Sequence, residues 1–134
     1  MGLLAGKRPD GLGFTSHQFK PCSWKPNCVN STADSQADAK HHIDPLRFKG
    51  DAAQAWKALA ELVKGRPRIK IVKEDGQYLY CEFSSKGLGY VDDVEFALDP
   101  GAGVIHVRSA SRLGIRDFGV NRARIESIRK QFLG

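Results

Sequence analysis

The chain has 134 residues, with 21 Lys and Arg against 15 Asp and Glu, a formal net charge of +6. With 41% hydrophobic and 27% charged residues it has the make-up of one globular domain with its own core, which excludes collagen-like, coiled-coil and mostly disordered classes. No run reaches the roughly eighteen apolar residues of a membrane span. The N-terminal apolar stretch is too short for a secretory signal, and Gly6 leaves the acylation pattern incomplete, so a cytoplasmic protein with no membrane partner is expected.

Residues 1–42 are rich in Gly, Pro, Ser, Asn and Asp and show no periodicity. They are expected to form an irregular arm, packed on the domain through Leu12, Phe14, Phe19 and Trp24. Residues 43–134 form a single α+β domain. Ile43–Phe48 is a short strand that Pro45 confines to an edge, favouring a monomer or at most a weak homodimer. Asp51 caps a helix, with Gln54 completing a capping box, and Ala52, Trp56, Leu59, Ala60 and Val63 make its buried stripe before Gly65 and Pro67 end it.

Four strands follow, at about 68–73, 77–83, 90–98 and 103–109, the first two joined by an Asp75-Gly76 hairpin turn. A glycine-punctuated loop, 110–119, leads to a last helix at about 120–132 with Asn121, Ile125, Ile128 and Phe132 on its core face. The order is β-α-β4-α: a four- to five-stranded antiparallel sheet with two helices on one face, a topology like that of the TATA-binding protein. The likeness is one of fold and carries no function.

Alternation puts Leu79, Cys81 and Phe83 on one sheet face with Val94, Phe96, Leu98, Ile105 and Val107, to be buried under the helices. The other face receives Tyr78, Tyr80, Glu82, Asp93, Glu95, His106 and Arg108. It is expected to be solvated and laced with cross-strand ion pairs, or to serve as a shallow ligand surface. Asp92 falls on the core side, where a carboxylate needs donors; Asn121 and the arginines of 108–124 are its natural partners. The same segment also has the parts of an anion site: Arg108, Ser109, Ser111 and Arg112, then Arg116, Arg122 and Arg124 around a helix N-terminus that Asp117 caps.

Cys22 and Cys28 are a candidate redox pair. With His41 and His42 they have the wrong spacing for a zinc site, which leaves a reversible disulfide or plain thiols open. The odd cysteine count favours a reducing compartment, and Cys81 is a buried hydrophobe.

Four segments carry a resemblance: Pro26-Asn27-Cys28-Val29, Asp92-Asp93-Val94-Glu95-Phe96, Arg108-Ser109-Ala110-Ser111-Arg112-x-Gly114 and Asp117-x-Gly119-x-Asn121-Arg122-x-Arg124-Ile125. From about residue 20 to the end the chain resembles the bacterial and chloroplast domain-of-unknown-function family 1499. The resemblance implies no activity, cofactor or substrate. It points to Asn27, Cys28, Asp92, Asp93, Arg108, Ser111, Arg112, Asp117, Asn121 and Arg122.

The leading expectation is a domain that binds a small anionic ligand, without metal or cofactor. Its expected binding residues are Asp92, Asp93, Glu95, Arg108, Ser109, Ser111, Arg112, Asp117, Asn121, Arg122 and Arg124. An enzyme with Asp93 or Glu95 as acid or base and Arg108 stabilising charge is the first alternative. A protein or nucleic-acid interaction module is the second, with nucleic acid disfavoured because the sheet face carries carboxylates and the basic excess forms no stripe.

Overall fold

Strict alternation in the central strands decides which side chains are buried on each side of the sheet, and the computed structural model follows it. It describes residues 4–133; the signal and acylation readings begin on Met1–Leu3, which lie outside the described residues, as does Gly134. The elements in chain order are β1 (Phe14–Thr15), β2 (Gln18–Phe19), β3 (Cys28–Asn30), β4 (Leu46–Arg47), α1 (Ala52–Lys64), β5 (Ile69–Glu74), β6 (Tyr78–Ser84), β7 (Val91–Asp99), β8 (Val104–Ser111) and α2 (Val120–Leu133). Strands β5 to β8 form an antiparallel meander, each within about two residues of its expected place. Among the described residues no helix is long and apolar enough to cross a membrane.

The two helices pack on one face. Asp51 accepts hydrogen bonds from the Ala53 and Gln54 amides to start α1, whose Trp56, Leu59, Ala60 and Val63 are buried. Helix α2 buries Asn121, Ile125 and Ile128. Between helices and sheet lie Leu79, Cys81, Phe83, Val94, Phe96, Leu98, Ile105 and Val107, joined by Val29, Ile43 and Leu46. Cys81 is a free, buried thiol, and burial pushes its pKa up.

Two expectations are corrected. The main sheet has six strands rather than four or five, because Cys28–Asn30, inside the segment expected to be irregular, pairs with β8. Strands β3 and β4 share that edge end to end, Cys28 opposite Ala110 and Leu46 opposite Ile105. Secondly, the far face of the sheet is not solvated: the N-terminal arm covers it. Arg8 bonds Glu82, the Gly13 amide donates to Glu95, Arg108 donates to the Lys20 carbonyl, and the Phe14 ring stacks on His106. Tyr80, Glu82, Asp93, Glu95 and Arg108 are buried beneath it. The arm returns through a Cys22–Cys28 disulfide before entering the sheet.

Candidate functional site

Because neighbouring strand residues point to opposite faces, the residues that look like one cluster in the sequence separate into two layers. Asp93, Glu95, Arg108 and Arg112 lie under the arm. Asp92, Ser109 and Ser111 lie on the helix face, where Asp117, Asn121 and Arg124 meet them. Arg122 belongs to neither; its guanidinium holds the Lys40 and His42 carbonyls.

The arm-side layer is a closed ionic network. Glu82 and Asp93 are paired across β6 and β7, two like charges face to face. Arg112 bridges them, at 2.6 Å and 3.1 Å to the two oxygens of Asp93 and 2.8 Å to Glu82, and also donates to the Ala5 carbonyl. Tyr80 donates its hydroxyl to Asp93 and Tyr78 donates to Glu95. Burial raises the Glu82 pKa, but the bonds from Arg8 and Arg112 outweigh it and hold the carboxyl below its ordinary value. At Glu95 burial wins, and its pKa lies above the ordinary value despite the Tyr78 bond and the Arg108 charge 3.8 Å away. Its Oε1 atom has no hydrogen-bond partner among the described residues.

Ser31, His106 and Asp99 sit beside this layer in the order of a hydrolase triad, an arrangement too scattered in sequence to be read there. Ser31 is buried and accepts the Val107 amide, Phe14 covers the imidazole, and His106 stands 3.6 Å from Asp99, beyond hydrogen-bond length. In that geometry the Ser31–His106 bond and the Phe14 ring hold the arm against the sheet.

The helix-side layer is open. Arg124 lies over the Phe83 ring, 4.8 Å from its centre, and bonds Asp92 at 2.7 Å, so the strand carboxylate on the core side has its donor. The same guanidinium bonds the Asn121 carbonyl, which also accepts from the Ser109 hydroxyl; the Asn121 amide donates to Ser111, Asp117 and the Asn27 carbonyl. Asp117 further accepts the Gly119 and Asn121 amides, which outweigh burial and lower its pKa. Asn121 is thus the tie between β8, α2 and the segment before β3.

In front of this tie is a cleft of about 650 Å³. Its walls are the β6–β7 connection with Ser84, Ser85 and Tyr90, the β8–α2 loop from Leu113 to Phe118, and the α1–β5 connection with Arg66, Pro67 and Arg68; Phe83, Val91, Asp92, Ser111, Val120 and Arg124 complete it. Of the expected binding residues, Asp92, Ser111, Asp117 and Arg124 line the cleft and Ser109 and Asn121 stand behind them. Arg66, Arg68, Tyr90, Leu113 and Phe118 were not among those residues. The only signal for the last two was that Leu113, Ile115 and Phe118 are apolar side chains scattered through a glycine-punctuated loop. Arg66 and Arg68 lie more than forty residues upstream of that loop and gave none. Among the described residues there is no cluster of His, Cys, Asp and Glu arranged to hold a metal ion. Cys22 and Cys28 are remote from both layers in role: their disulfide closes the arm.

Such a molecule is a small α+β domain whose sheet is covered by two helices on one face and by its own N-terminal arm on the other. The chain belongs to the family described as "Protein of unknown function (DUF1499)", whose model matches residues 18–132. The match takes in all four segments on which the resemblance rested. No curated protein matches the chain.

Proposed function

We propose that this chain is a binding domain for a small anionic ligand, held in the cleft between the β6–β7 connection, the β8–α2 loop and the α1–β5 connection. The observation that carries this reading is the charge of the lining: four guanidiniums against two carboxylates leave two positive charges in excess. Of the four, Arg124 is neutralised by Asp92, whereas Arg116 has no bonding partner among the described residues. Arg68 uses only its Nε, on the Ser84 carbonyl. Guanidiniums with unused donors suit phosphate or carboxylate, and the Ser84, Ser85 and Ser111 hydroxyls add neutral donors beside them. The size is that of small-molecule sites in general.

The arm supports this over the enzyme and the nucleic-acid alternatives. An enzyme using Asp93 or Glu95 with Arg108 would need a substrate beneath a layer that the arm has filled, and nucleic acid on the sheet face would need that face bare. Titration calorimetry with inorganic phosphate and with acetate tests the reading. Binding is expected to weaken on Arg116→Ala and Arg68→Ala, with circular dichroism unchanged. Equal affinities in wild type and both variants, or no heat with either anion, would contradict it.

A further inference from the structure

We infer that the ligand of this cleft is an amphiphile, with its anionic head at Arg116 and Arg68 and an apolar body laid along Phe118, Leu113 and Tyr90. This rests on the cleft being the binding site and goes on to name the class of ligand. The carrying observation is Phe118. It is 94% exposed, and its backbone is left-handed, with φ of 55°. A bulky aromatic residue rarely takes that conformation, and water around its ring is a second unfavourable term. The turn that imposes both is firmly built: Asp117 accepts the amides of Gly119 and Asn121 through its carboxylate and that of Val120 through its carbonyl. A strained backbone that displays an aromatic ring at the lip of a cleft marks a functional surface.

Phe118 is not alone. Leu113, Val120 and Tyr90 are exposed on the same walls, and Leu88 and Ile115 extend the apolar lip along the same two connections. Val91 and Phe83 also line the cleft. Arg66 and Arg68 of the α1–β5 connection and Arg116 of the β8–α2 loop line the same cleft as these apolar side chains. A bare inorganic anion would satisfy the arginines and leave the apolar lip in water. A neutral hydrocarbon would do the reverse. Only a molecule with both parts uses the whole surface.

The probes are decyl phosphate below its micelle concentration, inorganic phosphate, and decyl maltoside as the uncharged control, each titrated calorimetrically. Decyl phosphate is expected to bind more tightly than inorganic phosphate, by about fourfold for each methylene that the cleft buries, and decyl maltoside to bind weakly. Phe118→Asn tests the aromatic directly, since asparagine tolerates the left-handed backbone and the variant keeps its fold. It is expected to weaken decyl phosphate about tenfold, as loss of a partly buried ring would, and to leave inorganic phosphate unchanged. Co-sedimentation with phosphatidylglycerol vesicles against phosphatidylcholine vesicles then separates a headgroup presented by a bilayer from a free amphiphile; capture by the anionic vesicles alone assigns the bilayer as the source. Inorganic phosphate binding as tightly as decyl phosphate would overturn the amphiphile and leave the anion site standing. No binding of either phosphate would overturn both, and decyl phosphate binding unchanged by Phe118→Asn would overturn the role of the lip.

Discussion

Arg112 grips Asp93 with a two-pronged fork, Nη2 to Oδ1 at 2.6 Å and Nε to Oδ2 at 3.1 Å, and the same Nη2 reaches Glu82 at 2.8 Å. One guanidinium therefore separates two carboxylates that face each other across a β-pair. Its remaining nitrogen holds the arm at the Ala5 carbonyl, so the bridge also fastens the cover over the layer.

Arg112→Ala leaves Asp93 and Glu82 buried and facing without their shared cation. Breaking a buried pair in this way costs about 3–5 kcal/mol, and Arg112→Lys is expected to lie between, because an ammonium cannot reproduce the planar fork. Urea unfolding monitored by tryptophan fluorescence checks the order. Equal stability of wild type and Arg112→Lys would mean that charge alone is sufficient.

Asp92 and Arg124 tie the start of β7 to α2, at 2.7 Å and with both side chains mostly buried. A double-mutant cycle of Asp92→Ala and Arg124→Ala is expected to give a coupling energy of about 1–3 kcal/mol, the range for a partly buried charge-assisted bond. Arg124→Ala alone is expected to cost more than Asp92→Ala alone, since Arg124 also bonds Asn121 and Ser109 and covers Phe83. The reverse order would place the stabilisation elsewhere.

Much of this was legible from alternation. Leu79, Cys81 and Phe83 are buried with Val94, Phe96 and Leu98, and Asp92 faces the helices and meets an arginine. Which face of the sheet the arm covers was illegible for a physical reason. Beside the Arg8–Glu82 bond and the Phe14 ring on His106, its anchors are the Ala5 and Lys20 carbonyls and the Gly13 amide, backbone groups that leave no pattern in side-chain type. Without a cover in view, Glu82, Asp93 and Glu95 looked like a wet surface. The binding cluster was half legible: alternation already separates Asp92 from Asp93 and Ser111 from Arg112, but nothing local brings Arg66 and Arg68 to the same cleft.

Glu95 gives the molecule a pH signature. Its folded-state pKa is raised by burial above the ordinary 4.5, so the folded chain takes up that proton more readily than the unfolded one. The unfavourable contribution is fully present above the folded pKa and disappears as pH falls toward 4.5. Wild type is therefore expected to gain stability relative to Glu95→Gln as pH drops from 7 to about 4.5. Glu82 and Asp117, whose pKa values are lowered, lose stability in acid in both proteins alike and cancel in the difference. A flat difference between the two profiles would contradict a buried, strained carboxylate.

The arm also makes a prediction about thiols. With Cys22 and Cys28 joined and Cys81 buried, the native oxidised chain is expected to show no thiol reactive to Ellman's reagent, and one after denaturation. Cys28→Ser, or reduction, is expected to cost about 2 kcal/mol by loop-closure entropy, read as a lowered midpoint in urea. Three thiols in the denatured, unreduced chain would show the pair to be open.

On the proposed function, the working surface is the helix-side cleft and not the arm-covered face of the sheet. The most direct measurement is a ¹H–¹⁵N NMR titration of the folded chain with decyl phosphate. Amide shifts are expected to move at Arg66, Arg68, Ser84–Val91 and Leu113–Val120, while Gly13, Glu95 and Arg108 stay still. Movement concentrated at Gly13, Glu95 and Arg108, with the cleft silent, would contradict it and put the ligand beneath a displaced arm.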